Sequence, residues 1–197
     1  YVLSRRDLVG RGFMTGFLVF TMYFSGGLIP TYTVVRSLHL TNSRLGIILL
    51  GSVSVYNIIL IRSYFRSSLP EELREAAEID GCSNLDFFFQ IALPLATPII
   101  AVIAMYIAEG MWNSYFNAMV YLTDIDKYPL QNFLREILLQ GEANTDLTDP
   151  ETAAERAYIM QMLKYCVIVL SSLPMMLLYP FIQRFFVTGL MIGSLKG

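Results

Sequence analysis

Six carboxylates lie within one polar stretch of an otherwise apolar chain, EELREAAEIDGCSNLDFFFQIALP, residues 71–94. Two carboxylates can act as general acid and base when their environments hold their pKa values apart, so this stretch is a candidate active site. Such a site also needs a convergent nucleophile, base or metal. The sequence contains no Ser/His/Asp constellation, no phosphate-binding glycine loop and no cluster of metal ligands. The stretch therefore predicts a surface rather than a catalytic centre, and neither an enzyme, a cofactor nor a metal site is expected.

The two cysteines and the single histidine supply no ligand set. Cys82 lies in the polar stretch and Cys166 in an apolar run, so we expect them at different membrane depths and not joined by a disulfide. No CxxC spacing indicates a zinc site. His39, beside a short loop, is expected to be structural or exposed.

The composition is that of a membrane protein. Of 197 residues, 55% are hydrophobic and only 15% are charged, whereas a soluble domain carries about 25% charged residues. The net charge is −2, and the basic residues form no patch with interleaved aromatics, so nucleic acid is not an expected partner.

Four apolar segments meet the requirement of about 20 residues for a helix that crosses the hydrocarbon core. We predict spans at about residues 12–35, 43–65, 97–122 and 158–183. Gly26, Gly27 and Pro30 predict a break in the first span. Membrane-spanning strands would need a closed barrel and period-two alternation, which is not visible. The expected fold is an all-α polytopic helical bundle.

The loops can be assigned to sides by their basic residues. One side carries Arg5, Arg6, Arg11, Arg62, Arg66, Arg74, Arg184 and Lys196, and the other carries Arg36, Arg44, Lys127, Arg135 and Arg156. The richer side is cytoplasmic by the positive-inside rule. This places the loop 69–94 and the C-terminus in the cytoplasm and the loop 123–157 outside.

The external loop has an amphipathic pattern. Pro129 opens a run with helical apolar spacing, made up of Leu130, Phe133, Leu134, Ile137 and Leu138. This helix either lies on the membrane and caps the bundle or contacts an external partner. Residues 142–151 are expected to form a flexible polar linker.

The cytoplasmic loop predicts two short helices that meet at Gly81, roughly parallel to the membrane. Ser68 with Glu71, and Ser83 with Asp86, have the spacing of capping boxes, and Gly81 suits a helix stop. The apolar stripe expected on the first helix consists of Leu69, Leu73, Ala76 and Ala77.

The spacing in this loop follows E-A-A-x3-G-x9-I-x-L-P, with Glu75, Ala76, Ala77, Gly81, Ile91, Leu93 and Pro94 at the specified positions. The pattern resembles the cytoplasmic signature loop of bacterial ABC importer permeases, and every signature position is present. The alternative is an amphipathic helix pair that only connects two spans.

Other segments resemble the maltose-type, sugar-importing group of these permeases. They are MWNSYFNAMVYL (residues 111–122) and FFVTGLMIGSLKG (residues 185–197), while SRRDLVGRGF and FSGGLIPTY are similar to members that take up plant or algal oligosaccharides. The resemblance covers essentially the whole chain and implies the type I ABC importer permease fold. Members typically have six spans, two of them before the point where this sequence begins, so we expect an N-terminally truncated transmembrane domain.

The resemblance implies that the chain works with partners in the bacterial inner membrane: a second permease subunit, two cytoplasmic ATPase subunits and an external solute-binding protein. The signature loop would dock in a cleft on one ATPase subunit. There Glu75 would pair with basic groups or backbone donors, Ala76 and Ala77 would allow close approach, and Gly81 would set the angle between the two helices. Phe87, Phe88 and Phe89 would anchor the second helix, or simply pack in the core.

Glu109 is the single carboxylate inside a predicted span, and an ionisable residue at that depth marks a functional site by default. The residues that follow it are suited to sugars, because amides bond hydroxyls and aromatic rings stack on sugar rings. The substrate-path candidates are Glu109, Trp112, Asn113, Tyr115, Phe116 and Asn117. Alternatively, Trp112 and Tyr115 form an interfacial aromatic belt and Glu109 pairs with a neighbouring helix.

The predicted function is therefore a permease subunit of an ATP-driven sugar or oligosaccharide importer. An importer of another solute is one alternative, because the binding protein usually sets the substrate and the sugar assignment is analogy. A membrane scaffold or sensor without a transport role is another, and failure to co-purify with an ATPase would favour it.

Overall fold

The computed structural model describes residues 1–143 and 150–194, with side chains described for all of these except 140–157, 181–182 and 184–194. These ranges contain no strand, and the all-helical expectation is confirmed for them. Their helices are α1 (Arg11–Tyr23), α2 (Leu28–Ser37), α3 (Arg44–Ser52), α4 (Val55–Ser68), α5 (Glu71–Ile79), α6 (Asn84–Leu95), α7 (Thr97–Trp112), α8 (Tyr115–Tyr121), α9 (Leu130–Ala143) and α10 (Pro150–Ser194), with short 3-10 turns at Val2–Ser4 and Ile125–Lys127.

Three of the predicted apolar segments are pairs of helices rather than single helices. The break between α1 and α2, where Gly27 has φ 85°, was expected, although Pro30 lies inside the first turn of α2, where proline is tolerated. The breaks after α3 and after α7 were not expected. After α3, the backbone of Ser54 is extended. After α7, Ser114 Oγ donates to the Met111 carbonyl at 2.7 Å, as serine side chains compete for backbone groups.

Within the described residues, one helical segment, Tyr158–Pro180 in α10, can cross a membrane by length and composition, or up to four segments can if each of three bent helix pairs counts as one span. The count of four spans therefore stays a prediction. The polar linker predicted at 142–151 lies mostly outside the described residues, and its two ends belong to α9 and α10.

The chain divides into two compact units. Unit 1 comprises Tyr1–Thr31, Val53–Ile107 and Ile182–Gly197, and unit 2 comprises Tyr32–Ser52 and Ala108–Phe181. The core of unit 1 joins the end of α4 to α5, α6 and the first turns of α7. Its buried residues are Phe65, Ala77, Phe87, Ala92, Ala96, Ile99 and Ile103.

Unit 2 has its own small core between α2, α3 and α8, built from Val35, Ile47, Ala118, Tyr121 and Leu122. The helices approach closely because the contact positions are small. Gly46 lies so near the Leu40 carbonyl that a Cβ atom there would be 2.3 Å from its oxygen. A side chain at Gly46 would therefore displace the backbone that follows α2.

Candidate functional site

The first helix of the signature loop, α5, ends as predicted but begins differently. Its N-cap is Pro70, whose ring has no group that could accept a capping bond, and Ser68 is instead the last residue of α4. The capping box predicted from Ser68 and Glu71 is therefore wrong. The predicted stop at Gly81 is confirmed, since Gly81 has φ 78°.

The C-terminus of α5 is closed by a Schellman motif. Gly81 N–H donates to the Glu78 carbonyl at 3.0 Å, and Cys82 N–H donates to the Ala77 carbonyl at 2.9 Å. This pair of bonds satisfies carbonyls that a helix end otherwise leaves free, and it needs the left-handed conformation that glycine adopts readily. Cys82 then packs against the unit 1 core beside Ala77, which fixes the reversal of the chain.

The two signature alanines face in different directions. Ala77 is 7% exposed and lies in the core of unit 1, whereas Ala76 is exposed. The predicted shared apolar stripe is therefore wrong, because adjacent helical residues are about 100° apart at 3.6 residues per turn. Four exposed residues of α5 at helical spacing, called here the outer face, are Glu72, Glu75, Ala76 and Ile79, and Leu73 and Glu78 beside them are exposed as well.

Arg74 forms ion pairs with two carboxylates beside the outer face. Its Nε donates to Glu71 Oε1 at 3.0 Å, and its Nη1 forms an ion pair with Glu78. The hydrogen bond to Glu71 is the main reason that the pKa of Arg74 is raised above its ordinary value. Glu72 and Glu75, by contrast, form no ion pair with a described residue, so the outer face presents two free negative charges.

The second helix, α6, begins as predicted. Asp86 N–H donates to Ser83 Oγ at 3.2 Å, so Ser83 is confirmed as the N-cap. The Asp86 carboxylate accepts from the Ser83 hydroxyl at 2.5 Å rather than from the Ser83 backbone N–H, as it would in a complete capping box. Arg5 connects the N-terminal segment to the first residue of α6, since its Nη1 donates to Asn84 Oδ1 at 2.5 Å. The side chains of the N-terminal segment thus help to hold the loop in place.

The middle of α6, Phe87–Ala92, is a π-helix, a feature that sequence reasoning missed. Leu93 N–H bonds the Phe88 carbonyl, and the next residue, Pro94, has no N–H to continue the ladder. Widened turns of this kind relieve a helix at such a gap and are frequent at functional sites. The sequence signal for this π-helix was Pro94, which lies one residue before the end of α6.

The signature and anchoring residues of α6 differ in burial. Phe87 is buried in the unit 1 core, Phe88 and Ile91 pack against it, and Phe89 is exposed. Leu93 is half-buried and Pro94 is exposed. In the unit 1 core the least exposed of the described residues are Ala92 (0% exposed) and Ala96 (1%), which were not predicted. They let the end of α6 and the turn after it lie directly against the rest of unit 1.

The substrate-path candidates all lie at the end of α7, in the following turn and on α8, within unit 2. Glu109, Asn113 and Phe116 are exposed, and Asn117 is half-buried. The Trp112 indole already has a hydrogen-bond partner within the chain, because its Nε1–H donates to the Ser171 carbonyl at 2.8 Å. Its indole N–H is therefore not free for a sugar hydroxyl.

Tyr115 is held by α9. The Arg135 guanidinium lies 5.8 Å from the centre of its ring, and Asn132 Nδ2 donates to its carbonyl at 3.1 Å. The helix predicted after Pro129 is confirmed as α9 (Leu130–Ala143), and Leu134 is its buried contact. These contacts place an arginine and an aromatic ring beside the path candidates.

A network around Asn42 was not foreseen. Asn42 Nδ2 donates to Asp124 Oδ2 at 2.9 Å, and its Oδ1 accepts from the N–H groups of Thr123 and Asp124. Lys127 Nζ binds both the Asn42 carbonyl and Asp124. The available signal was an asparagine in a short polar connection, where it tolerates left-handed backbone and bonds nearby groups.

No group of three or more His, Cys, Asp or Glu side chains that could hold a metal occurs in the described part of the chain. The arrangement offers instead an acidic helix face anchored in a core in unit 1, and a polar and aromatic helix end in unit 2. An all-helical apolar chain with this loop is a component of a membrane transport system. It belongs to the family of binding-protein-dependent transport system inner membrane components, whose profile matches residues 10–187, and this is a family of transporters rather than enzymes.

Curated relatives agree with the family. The chain is 41% identical to Protein LplC of Bacillus subtilis (strain 168) over 197 residues, which is 100% of this chain and 66% of that protein. It is 42% identical to the polygalacturonan/rhamnogalacturonan transport system permease protein YtcP of the same organism, over 100% of this chain and 68% of that protein. The chain therefore spans about two thirds of the length of these relatives.

A solved structure shares the fold. It is a bacterial ABC transporter involved in the import of the acidic polysaccharide alginate, with a TM-score of 0.77 and 33% identity. The likeness covers 93% of this chain and 65% of that chain. The resemblance to ABC importer permeases, inferred from the signature loop, and to their sugar-importing group, inferred from the other segments, is thus confirmed.

Proposed function

We propose that this chain is the permease subunit of an ATP-driven importer of sugars or oligosaccharides, which couples ATP hydrolysis by partner subunits to alternating access. Its partners are a second permease subunit, two cytoplasmic ATPase subunits and an external solute-binding protein. The signature loop and the C-terminus are cytoplasmic in this proposal. Family membership and the names of the relatives support it.

The observation that carries the proposal is the division of α5 into two faces. Ala77 is buried among Phe65, Phe87 and Ala92, while the outer face is exposed. A partner that moves the outer face therefore moves a helix already packed into unit 1. Because Ala92, Ala96 and Ile99 belong to the same core, the displacement passes to α6 and to the start of α7 without a flexible link.

The chemistry of the outer face suits a protein cleft. Ala76 allows close approach, and Ile79, which is 86% exposed, offers an apolar contact. Glu72 and Glu75 have no ion pair with described residues, so they are available to basic groups or backbone N–H donors of the ATPase subunit. Arg74 stays bound to Glu71 and Glu78, and Arg6 lies 3.7 Å from Glu71, so these two carboxylates already have cationic partners within the chain.

The test is Ala76→Asp in the full-length permease, assembled with all partner subunits. We expect uptake of labelled oligosaccharide and co-purification of the ATPase subunits each to fall at least tenfold, because a buried unpaired charge in an interface costs several kcal/mol. Ser67→Asp adds the same charge at an exposed position at the end of α4 and should leave both unchanged. Uptake at the wild-type rate in Ala76→Asp would overturn docking through α5.

The substrate path is proposed to include Glu109, Asn113, Phe116 and Asn117, which place a carboxylate, two amides and a ring on one short segment. Trp112 and Tyr115 support this segment through their contacts with Ser171 and Asn132. Asn113→Ala and Glu109→Gln should lower the transport rate or change selectivity among oligosaccharides, because hydroxyl partners are lost. Thr123→Ala, which removes an exposed hydroxyl shortly after α8, is the matched control, and unchanged rate and selectivity in the first two variants would remove them from the path.

A further inference from the structure

Three arginines of unit 1 lie together without an acidic partner. Arg62 and Arg66 are four residues apart on α4, so they share one helix face, and Arg11 begins α1, which packs against α4. The charged groups near enough to act on Arg62 are Arg66 and Arg11. No described acidic residue forms an ion pair with any of the three, in contrast to Arg5 and Arg74.

Two of these arginines are held in place by backbone carbonyls. Arg62 Nε donates to the Leu3 carbonyl at 3.0 Å, and Arg11 Nη1 donates to the Arg5 carbonyl at 3.0 Å. Since Leu3 and Arg5 are two residues apart, both guanidinium groups are brought to one short segment. Each guanidinium has five N–H donors, so most donors of Arg11 and Arg62 remain available, and Arg66 is exposed.

We propose that Arg11, Arg62 and Arg66 together bind the phosphate group of an anionic phospholipid. Guanidinium groups bind phosphate oxygens in a two-pronged geometry, and neighbouring arginines that have no ion pair with a described carboxylate favour an anion as their partner. This is a specific site, distinct from the diffuse attraction of basic residues to a charged membrane surface.

The surroundings favour a lipid over a free anion. The arginines lie where two predicted spans meet the predicted cytoplasmic side, at residues 12 and 65. The first turns of α1 then carry Phe13 (80% exposed) and Phe17 (60%), four residues apart on one face. A phospholipid supplies both parts that this surface needs: a phosphate for the arginines and acyl chains for the phenyl rings.

The test uses the intact importer complex in detergent, titrated with short-chain phosphatidylglycerol, short-chain phosphatidylcholine or inorganic phosphate and followed by native mass spectrometry. We expect saturable phosphatidylglycerol binding at least tenfold tighter than phosphatidylcholine binding. Arg66→Gln, which removes no bond to a described residue, and Arg62→Gln with Arg66→Gln should weaken it at least tenfold. Arg36→Gln, an arginine in the last turn of α2, is the matched control and should not.

Equal phosphatidylglycerol affinity in wild type and Arg66→Gln would overturn the site, and so would equal binding of the two lipids. Displacement of the lipid by an equal concentration of inorganic phosphate would overturn the lipid assignment in favour of a free-anion site. Arg62→Lys keeps the positive charge, so it serves as the control if the double variant fails to fold. None of these outcomes bears on docking through α5, which is read out by co-purification of the ATPase subunits.

Discussion

His39 ends α2 in a conformation that normally belongs to glycine. It has φ 56°; its N–H donates to the Arg36 carbonyl at 3.0 Å, and Leu40 N–H donates to the Val35 carbonyl at 3.1 Å. These are the bonds of a Schellman motif, the same closure that Gly81 gives to α5. The expected structural or exposed role of the histidine is confirmed, because it is exposed and holds a helix end.

His39→Gly should stabilise the protein by about 0.5–1 kcal/mol, because glycine adopts the left-handed region without a steric penalty. Thermal unfolding of the purified protein in detergent measures the change. His39→Ala removes the imidazole but keeps the strain, so it should gain nothing. Equal melting temperatures for the two variants would show that the backbone at this position is not strained.

Asp124 gives the Asn42 network its pH dependence. The hydrogen bond from Lys127, followed by that from Asn42, lowers the pKa of Asp124 below its ordinary value. The folded state therefore favours the carboxylate, and this stabilisation is present above the ordinary aspartate pKa of about 3.9 and is lost as the pH falls through the lowered value. Melting temperatures of wild type and Asp124→Asn should differ at pH 7 and converge below about pH 4; a constant difference would contradict the assignment.

At the scale of the helices, hydrophobic period and turn residues predicted much of the structure. The spacing after Pro129 predicted α9, Gly81 predicted the end of α5, and Ser83 predicted the start of α6. The predictions that were wrong concerned residues whose role depends on how the neighbouring helix ends. Ser68 could cap a helix only if α4 ended before it, and α4 does not. The break at Ser114 and the widened turns before Pro94 arise from backbone bonds that apolar periodicity does not encode.

The two glycines of α3 should respond oppositely to alanine. At Gly46 the new methyl group would meet the Leu40 carbonyl oxygen at 2.3 Å, so Gly46→Ala should destabilise by about 1–3 kcal/mol. At Gly51 the nearest atom is the end of the Met111 side chain, at 2.6 Å, which can rotate away. Gly51→Ala should therefore be neutral or gain up to about 1 kcal/mol from helix propensity. Thermal unfolding of the two variants measures both changes in stability, and equal losses of stability would contradict the packing described for α3.

Adjacent alanines on α5 separate folding from docking. Ala77→Leu should overpack the unit 1 core and cost about 1–3 kcal/mol, whereas Ala76→Leu should change stability by less than about 0.5 kcal/mol and still impair uptake. Melting temperature and uptake are measured on the same preparations. A stability loss at Ala76 equal to that at Ala77 would mean that the outer face is not free. An uptake defect at Ala77 alone would report misfolding of the loop.

On the scale of the whole molecule, most of the apolar surface faces outward. In the candidate span Tyr158–Pro180 only 6% of the most apolar window is buried within the chain. Lipid or another subunit must therefore cover most of that helix. The sequence could indicate the apolar spans but not this sparse packing, because hydropathy does not distinguish lipid contact from core contact.

The free carboxylates of the outer face should control how fast the subunits assemble. Glu72→Gln with Glu75→Gln should lower the association rate with the ATPase subunits at low salt, and this effect should shrink at high ionic strength, because steering by exposed charges is screened. Surface plasmon resonance at two salt concentrations measures it. Glu78→Gln is the control, since Glu78 is already paired with Arg74. A salt-independent effect would mean that the carboxylates act by direct contact instead.

The packing of Cys82 against the unit 1 core makes the signature loop able to report on its own opening. Both cysteines are free thiols, but Cys166 lies in a predicted span, where a water-soluble maleimide has no access. Cys82 is half-buried against the unit 1 core, so release of the end of α5 should raise the rate at which a maleimide alkylates its thiol above the rate in the packed state. Followed with and without nucleotide on the assembled complex, that rate would time the motion of the loop from within the native sequence.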